Sequence, residues 1–119
     1  SLVAAIRGVC GSDPDGGPAF DRATNRMYVP CRGGGIQEID LATNTLGPKL
    51  PGANSAPILI GTKLWAAQYP DGTLSEFDTT TRAVIQKLSV GASLPHFATP
   101  SSAFGMLFLG TLQGVTAFK

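Results

Sequence analysis

One alternation of apolar and polar positions recurs three times along the chain. In the first stretch, Ala19-Phe20-Asp21 turns through Arg22-Ala23-Thr24-Asn25 into Met27-Tyr28-Val29-Pro30, and a Gly-rich corner then opens Ile36-Gln37-Glu38-Ile39-Asp40. In the second, Pro57-Ile58-Leu59-Ile60 leads to Lys63-Leu64-Trp65-Ala66, and Asp71-Gly72 opens Thr73-Leu74-Ser75-Glu76-Phe77-Asp78. In the third, residues 97–103 precede Met106-Leu107-Phe108-Leu109 and the final run Gly114-Val115-Thr116-Ala117-Phe118-Lys119. Each stretch predicts a short apolar strand, a turn, a stronger apolar strand, and a Gly-bearing hairpin that opens an alternating strand. Asp40 and Asp78 stand 38 residues apart, and Lys119 holds the same place 41 residues later, so the period is about 40. Tyr28, Trp65 and Phe108 fall at equivalent positions of the second strand, where large β-favouring side chains pack well.

A fourth strand follows the turns headed by Asp40 and Asp78, at residues 45–50 and 82–90, and residues 2–9 align with it through Ile6-Arg7-Gly8-Val9 against Lys87-Leu88-Ser89-Val90. No helix is expected, because Val84 and Ile85 turn even the most helix-like stretch toward strand. The predicted fold is all-β: four-stranded antiparallel sheets with a repeat of about 40 residues, the blades of a β-propeller. Its parts are an outer strand at 1–9, one blade at 17–50, a second at 56–90, and three strands of a third at 96–119. Such a sheet buries both faces only by packing against neighbouring sheets. A closed ring takes about four to eight blades, so three make a partial propeller. The expected partners are therefore the remaining blades or a second copy of the chain.

Composition narrows the function. The 15 Gly and 9 Pro among 119 residues suit many short elements joined by tight turns. Nine basic residues against eight acidic ones give a formal net charge of +1, without the basic stripe of a nucleic-acid binder. No apolar run approaches the ~18 residues that span a bilayer. The N-terminus has neither Met nor a basic region before an apolar core, which suits a processed secreted chain or an excised piece. Cys10 and Cys31 lie 21 residues apart without a Cys-x-x-Cys pair, and with one His they make no zinc set. They are either two thiols or a disulfide, and a disulfide points to an extracellular or periplasmic location.

Candidate functional residues lie on loops. His96, in Leu94-Pro95-His96-Phe97, leads into an innermost strand and can face a ligand. Tyr69 and Asp71 occupy one hairpin corner, Arg32 heads the Gly33-Gly34-Gly35 corner, and residues 13–17 form a longer polar loop. That loop carries two carboxylates but lacks the acidic ladder of a calcium site, so it reads as a solvated turn and no metal is expected. Asp21, Asp40 and Asp78 each end a strand, where a carboxylate accepts turn N–H groups, and they are read as turn caps. No Ser, Cys or Asp partner stands at a catalytic spacing from His96, so no catalytic residue is assigned.

The units resemble the pyrroloquinoline-quinone (PQQ)-type propeller repeat of bacterial quinoprotein dehydrogenases and of related scaffolds that bind no quinone. The resemblance rests on Ala56-Pro57-Ile58, Lys63-Leu64-Trp65-Ala66, Asp71-Gly72-Thr73-Leu74 and Glu76-Phe77-Asp78, and on Leu107-Phe108-Leu109-Gly110 with Gly114-Val115-Thr116-Ala117-Phe118. Arg26-Met27-Tyr28-Val29-Pro30 is similar to the unit of Tyr-Val-Thr-Asn-type propellers as well. A quinoprotein would need a general-base Asp, a calcium or lanthanide site and a Trp against the quinone. None can be placed here, so no cofactor is expected on this chain. The leading expectation is a non-catalytic propeller segment that scaffolds or binds a protein or small ligand. The alternatives are a part of a PQQ-dependent oxidoreductase whose cofactor lies elsewhere, and a self-assembling partial propeller.

Overall fold

Eleven strands form three antiparallel sheets in the computed structural model, which describes residues 4–96 and 98–119. The first sheet runs β1 (Ala19–Asp21), β2 (Arg26–Pro30), β3 (Ile36–Asp40) and β4 (Thr45–Leu50), each pairing with the next. The second repeats the order in β5 (Ile58–Ile60), β6 (Lys63–Gln68), β7 (Thr73–Asp78) and β8 (Val84–Ser89). The third has β9 (Ser101–Ala103), β10 (Met106–Thr111) and β11 (Gly114–Phe118). Together they resemble three blades of a partial propeller. The registers Arg26↔Asp40 and Lys63↔Asp78 coincide, so Tyr28 corresponds to Trp65 and Glu38 to Glu76.

Strand alternation assigns each face to one neighbour. Tyr28 and Ile36 of the first sheet and Leu64, Ala66 and Phe77 of the second share one core, with Leu50 and Ala53. The opposite face of the second sheet, Ala67 and Leu74 with Trp65 beside them, packs on Leu107 and Leu109 of the third, with Phe118 at the edge. A sheet buried on both faces cannot show a clean polar face, which is why the period of two in β3 and β7 is imperfect.

The N-terminal segment departs from expectation. Residues 4–8 form no strand, Val9–Gly11 is a single 3-10 turn, and residues 1–3 of the predicted outer strand lie outside the described residues, as does Phe97 at the head of the third unit. Two local features explain the difference. Gly8 and Cys10 take left-handed conformations (φ 75° and 57°), which no strand accommodates. Cys10 is also tied to Cys31, beyond the end of β2, by a disulfide. The segment instead lays Ile6 and Val9 over Met27, Val29 and Ile39, the face of the first sheet turned away from the second. Apolar burial there replaces the backbone pairing that residues 4–9 would have made as a strand.

Candidate functional site

Each sheet is a meander, so its connections divide between two ends. One end carries the loops that enter β1, β5 and β9 together with the β2–β3 and β6–β7 corners. The other carries the Asp-headed turns.

At the first end, side chains from all three units converge. Asp15, Arg32, Asn54, Ser55, Tyr69 and His96 line a cleft of about 80 Å³. The loop before β1 is fastened to the end of β2: Asp15 N–H donates to the Pro30 carbonyl at 2.8 Å and Arg32 N–H to the Asp13 carbonyl at 3.1 Å. That ladder carries the nearly buried Asp15 carboxylate to 3.5 Å from Arg32 Nε and 3.4 Å from His96 Nε2. Asp13 stands 3.8 Å from the same guanidinium on its exposed side. The His96 ring meets Tyr69 edge-on, with centroids 4.8 Å apart, a favourable aromatic geometry. Tyr69 is placed by its backbone, which exchanges hydrogen bonds with the Asn54 amide: Tyr69 N–H to Oδ1 at 2.7 Å and Nδ2 to the Tyr69 carbonyl at 2.9 Å.

Arg32, Tyr69 and His96 are thus brought together from positions 37 and 27 residues apart. Asp71 is not with them. It lines a separate groove of about 500 Å³ with Lys49 and Lys87, because the corner turns its side chain outward while Gly72 presses against the Ala92 carbonyl. Asp15 belongs to the cleft, although its loop, residues 13–17, reads in sequence as a solvated turn, and so does Asn54, which sequence reasoning did not single out. Their signal was faint: a carboxylate and an amide in Gly- and Pro-rich loops, with nothing to tell a solvated turn from a structured one. The cleft offers exposed donors on Arg32 and His96, an acceptor on Asp15, and an aromatic ring. This combination suits recognition of a polar group. Among the described residues no group of three or more His, Cys, Asp or Glu side chains is arranged to hold a metal ion.

At the opposite end the aspartates cap their turns. Asp21 accepts from Ala23 N–H and Thr24 Oγ1, Asp40 from Ala42 N–H, and Asp78 from Thr80 and Thr81 N–H. Asp78 also binds Lys63 Nζ at 2.7 Å, and that hydrogen bond with the two turn amides holds its carboxyl down at about 2. The fifth residue of each turn is left-handed: Asn25, Asn44 and Arg82 (φ 58°, 55° and 63°). Asn suits that conformation and Arg does not. Arg82 uses it to reach the first sheet, gripping the buried Glu38 carboxylate with Nε at 3.1 Å and Nη2 at 2.8 Å. Gly47 makes room for that carboxylate, since a Cβ there would lie 2.7 Å from Glu38 Oε2. Glu38 in turn raises the Arg82 pKa further, chiefly through these hydrogen bonds.

No protein-family model matches the chain, and no curated protein matches it. Solved structures share its fold. BamB from Moraxella catarrhalis superposes with a TM-score of 0.72 at 16% identity, over 92% of this chain and 34% of its own. The Myceliophthora thermophila Cps50 (Swd1) beta-propeller domain gives 0.71 at 13% identity, over 95% of this chain and 41% of its own. Saccharomyces cerevisiae Sqt1 gives 0.67 at 13% identity, over 86% of this chain and 30% of its own. The chain therefore shares a β-propeller-like fold with these proteins and spans about a third of their length.

Proposed function

We propose that the chain is a non-catalytic propeller segment that binds a protein or small polar ligand on the loop end of its sheets. The observation that carries this reading is the convergence of Asp15, Arg32, Tyr69 and His96, from three successive units, on one cleft. A rigid repeat scaffold that gathers polar loop side chains at one end is suited to recognition. The Cys10–Cys31 disulfide supports an extracellular or periplasmic location. The PQQ-type character of the repeat belongs to this proposal too, and it rests on the sequence motifs at residues 56–78 and 107–118 alone.

Peptides selected by phage display against the full chain test the reading. Binders should weaken at least tenfold on an Arg32→Ala, His96→Ala double variant and be unaffected by Asp40→Asn at the opposite end. Selected peptides that ignore the double variant would locate recognition elsewhere and sink the proposal.

A second reading has its own observation. The third sheet has three strands where the others have four, and Phe104, Leu112 and Val115 are exposed on it. Remaining blades, or a second copy of the chain, are the partners that would cover them.

A further inference from the structure

Lys63 binds Asp78, Arg82 binds Glu38 and Arg32 stands beside Asp13 and Asp15, so each of these cations faces a carboxylate. Lys49 and Lys87 differ. Among the described residues neither forms an ion pair or a side-chain hydrogen bond. They hold one place in the repeat, Lys49 opposite Gln37 in the first sheet and Lys87 opposite Ser75 in the second. Both line the groove of about 500 Å³ that also carries Asp71. Two glycines let them lie along it. A Cβ at Gly35 would stand 3.2 Å from Lys49 Cγ and Cε, and one at Gly52 would stand 3.3 Å from Lys87 Cε and Nζ. Gly52 belongs to the link between the first two sheets, so the Lys87 ammonium lies against the chain that leaves the strand of Lys49. That floor is fixed in place: Gly35 N–H donates to the Ala53 carbonyl at 2.7 Å, and Ser75 Oγ to the Gly52 carbonyl at 3.3 Å. The Gln68 amide and the Thr73 hydroxyl, also on the groove, make no side-chain hydrogen bond among the described residues.

We propose that this groove binds an acidic peptide segment of a partner protein, with carboxylates on Lys49 and Lys87 and a backbone N–H on Asp71. Two ammonium groups against one carboxylate leave the groove cationic, and the two repel each other until an anion lies between them. Lysine is a compact charge on a flexible stem, so the pair accommodates carboxylates at more than one spacing. Asp71 decides against a dense anion such as phosphate, which it would repel, and in favour of a chain that brings N–H donors along with its carboxylates. Gln68 and Thr73 offer the same backbone further donors and acceptors. In a groove lined by exposed lysines, charge complementarity governs encounter and selection of the partner more than raw affinity. The groove shares no lining residue with the cleft of Asp15, Arg32, Tyr69 and His96, so this inference stands apart from the reading built on that cleft.

The test is a titration of the full chain, at low salt, into a coumarin-labelled hexapeptide of alternating Glu and Ser, read by fluorescence anisotropy. Saturable binding is expected, and the counterpart with Gln for Glu should not bind. Affinity should fall at least tenfold in a Lys49→Ala, Lys87→Ala chain, whose fold is checked by circular dichroism. It should rise at least twofold in Asp71→Asn, which removes the like charge, and stay unchanged in the Arg32→Ala, His96→Ala chain. Inorganic phosphate at matched ionic strength should not displace the peptide. Absence of binding, indifference to the two lysines, weaker binding in Asp71→Asn, or displacement by phosphate would each overturn the proposal. Loss of binding in the Arg32→Ala, His96→Ala chain would overturn it as well, by moving the acidic peptide to the other cleft.

Discussion

Replacing Arg82 with alanine strands a buried carboxylate between two sheets. The Glu38 side chain is 4% exposed and the Arg82 side chain 34%, so the pair is sheltered on the acid's side and partly hydrated on the base's. Removing one partner of a fully buried pair costs ~3–5 kcal/mol, and partial hydration lowers the expected loss to about 2 kcal/mol. Backbone strain separates two variants at the same site. Both lose the guanidinium, but alanine keeps a Cβ at φ 63° whereas glycine tolerates that angle, so Arg82→Gly should be less harmful by about 1 kcal/mol. Glu38→Gln removes the charge that would be stranded, and a double-mutant cycle should return a coupling of about 1.5–2 kcal/mol. The assay is urea unfolding of the single and double variants, followed by circular dichroism. A coupling under about 0.5 kcal/mol, or a glycine variant less stable than the alanine one, would refute the assignment of Arg82 as a strained bridge between sheets.

Tyr28→Phe should stabilise the chain by about 1 kcal/mol, because among the described residues the buried Tyr28 hydroxyl makes no hydrogen bond of good geometry, even with Arg26 near it; a lower thermal midpoint would contradict this. Burial, with Glu38 nearby, also raises the Tyr28 pKa above 10.0, and phenylalanine should flatten any loss of stability above that pH. The depressed Asp78 carboxyl stabilises the fold at pH values above its unfolded 3.8, and that contribution is lost as pH falls through about 2. Acid titrations should therefore show a component between about pH 4 and pH 2 that Asp78→Asn abolishes; an unchanged acid profile would remove Asp78 from the account. Reducing the Cys10–Cys31 bridge releases a loop of 21 residues and should cost about 3 kcal/mol, read as a fall in the urea midpoint on adding dithiothreitol. No shift in that midpoint would mean that apolar packing of Ile6 and Val9 alone holds the N-terminal segment.

The strand pattern was legible because its causes are local. Alternation in residues 36–40 and 73–78, the Asp71-Gly72 corner and the three Asp-headed turns each follow from a few neighbouring residues, and the strands formed where those signals stood. The third-sheet strand after residue 97 was shorter than its apolar run implied, and residues 4–9 made no strand at all, although they aligned with residues 85–90. A strand exists only beside a free edge, and no local signal states which edge is within reach.

The site was legible by type and not by grouping. Loops with Arg32, Tyr69 and His96 could be marked as candidates from position in the repeat, but Asp71 lies two residues from Tyr69 and faces another groove. Asp15 joined the cleft through backbone hydrogen bonds to Pro30 and Arg32, and Asn54 through its clasp on Tyr69, contacts that exist only once the sheets pack. The Arg82–Glu38 bridge spans 44 residues, and nothing in either local stretch announces it. By itself the sequence determined the period, the strands, the turns and which side chains were available, since these depend on short-range backbone preference and alternation. Tertiary structure alone decided which of those side chains meet, where the N-terminal segment lies and which carboxylate receives an arginine. Those outcomes depend on the distance between sheets, and no neighbour in sequence reports it.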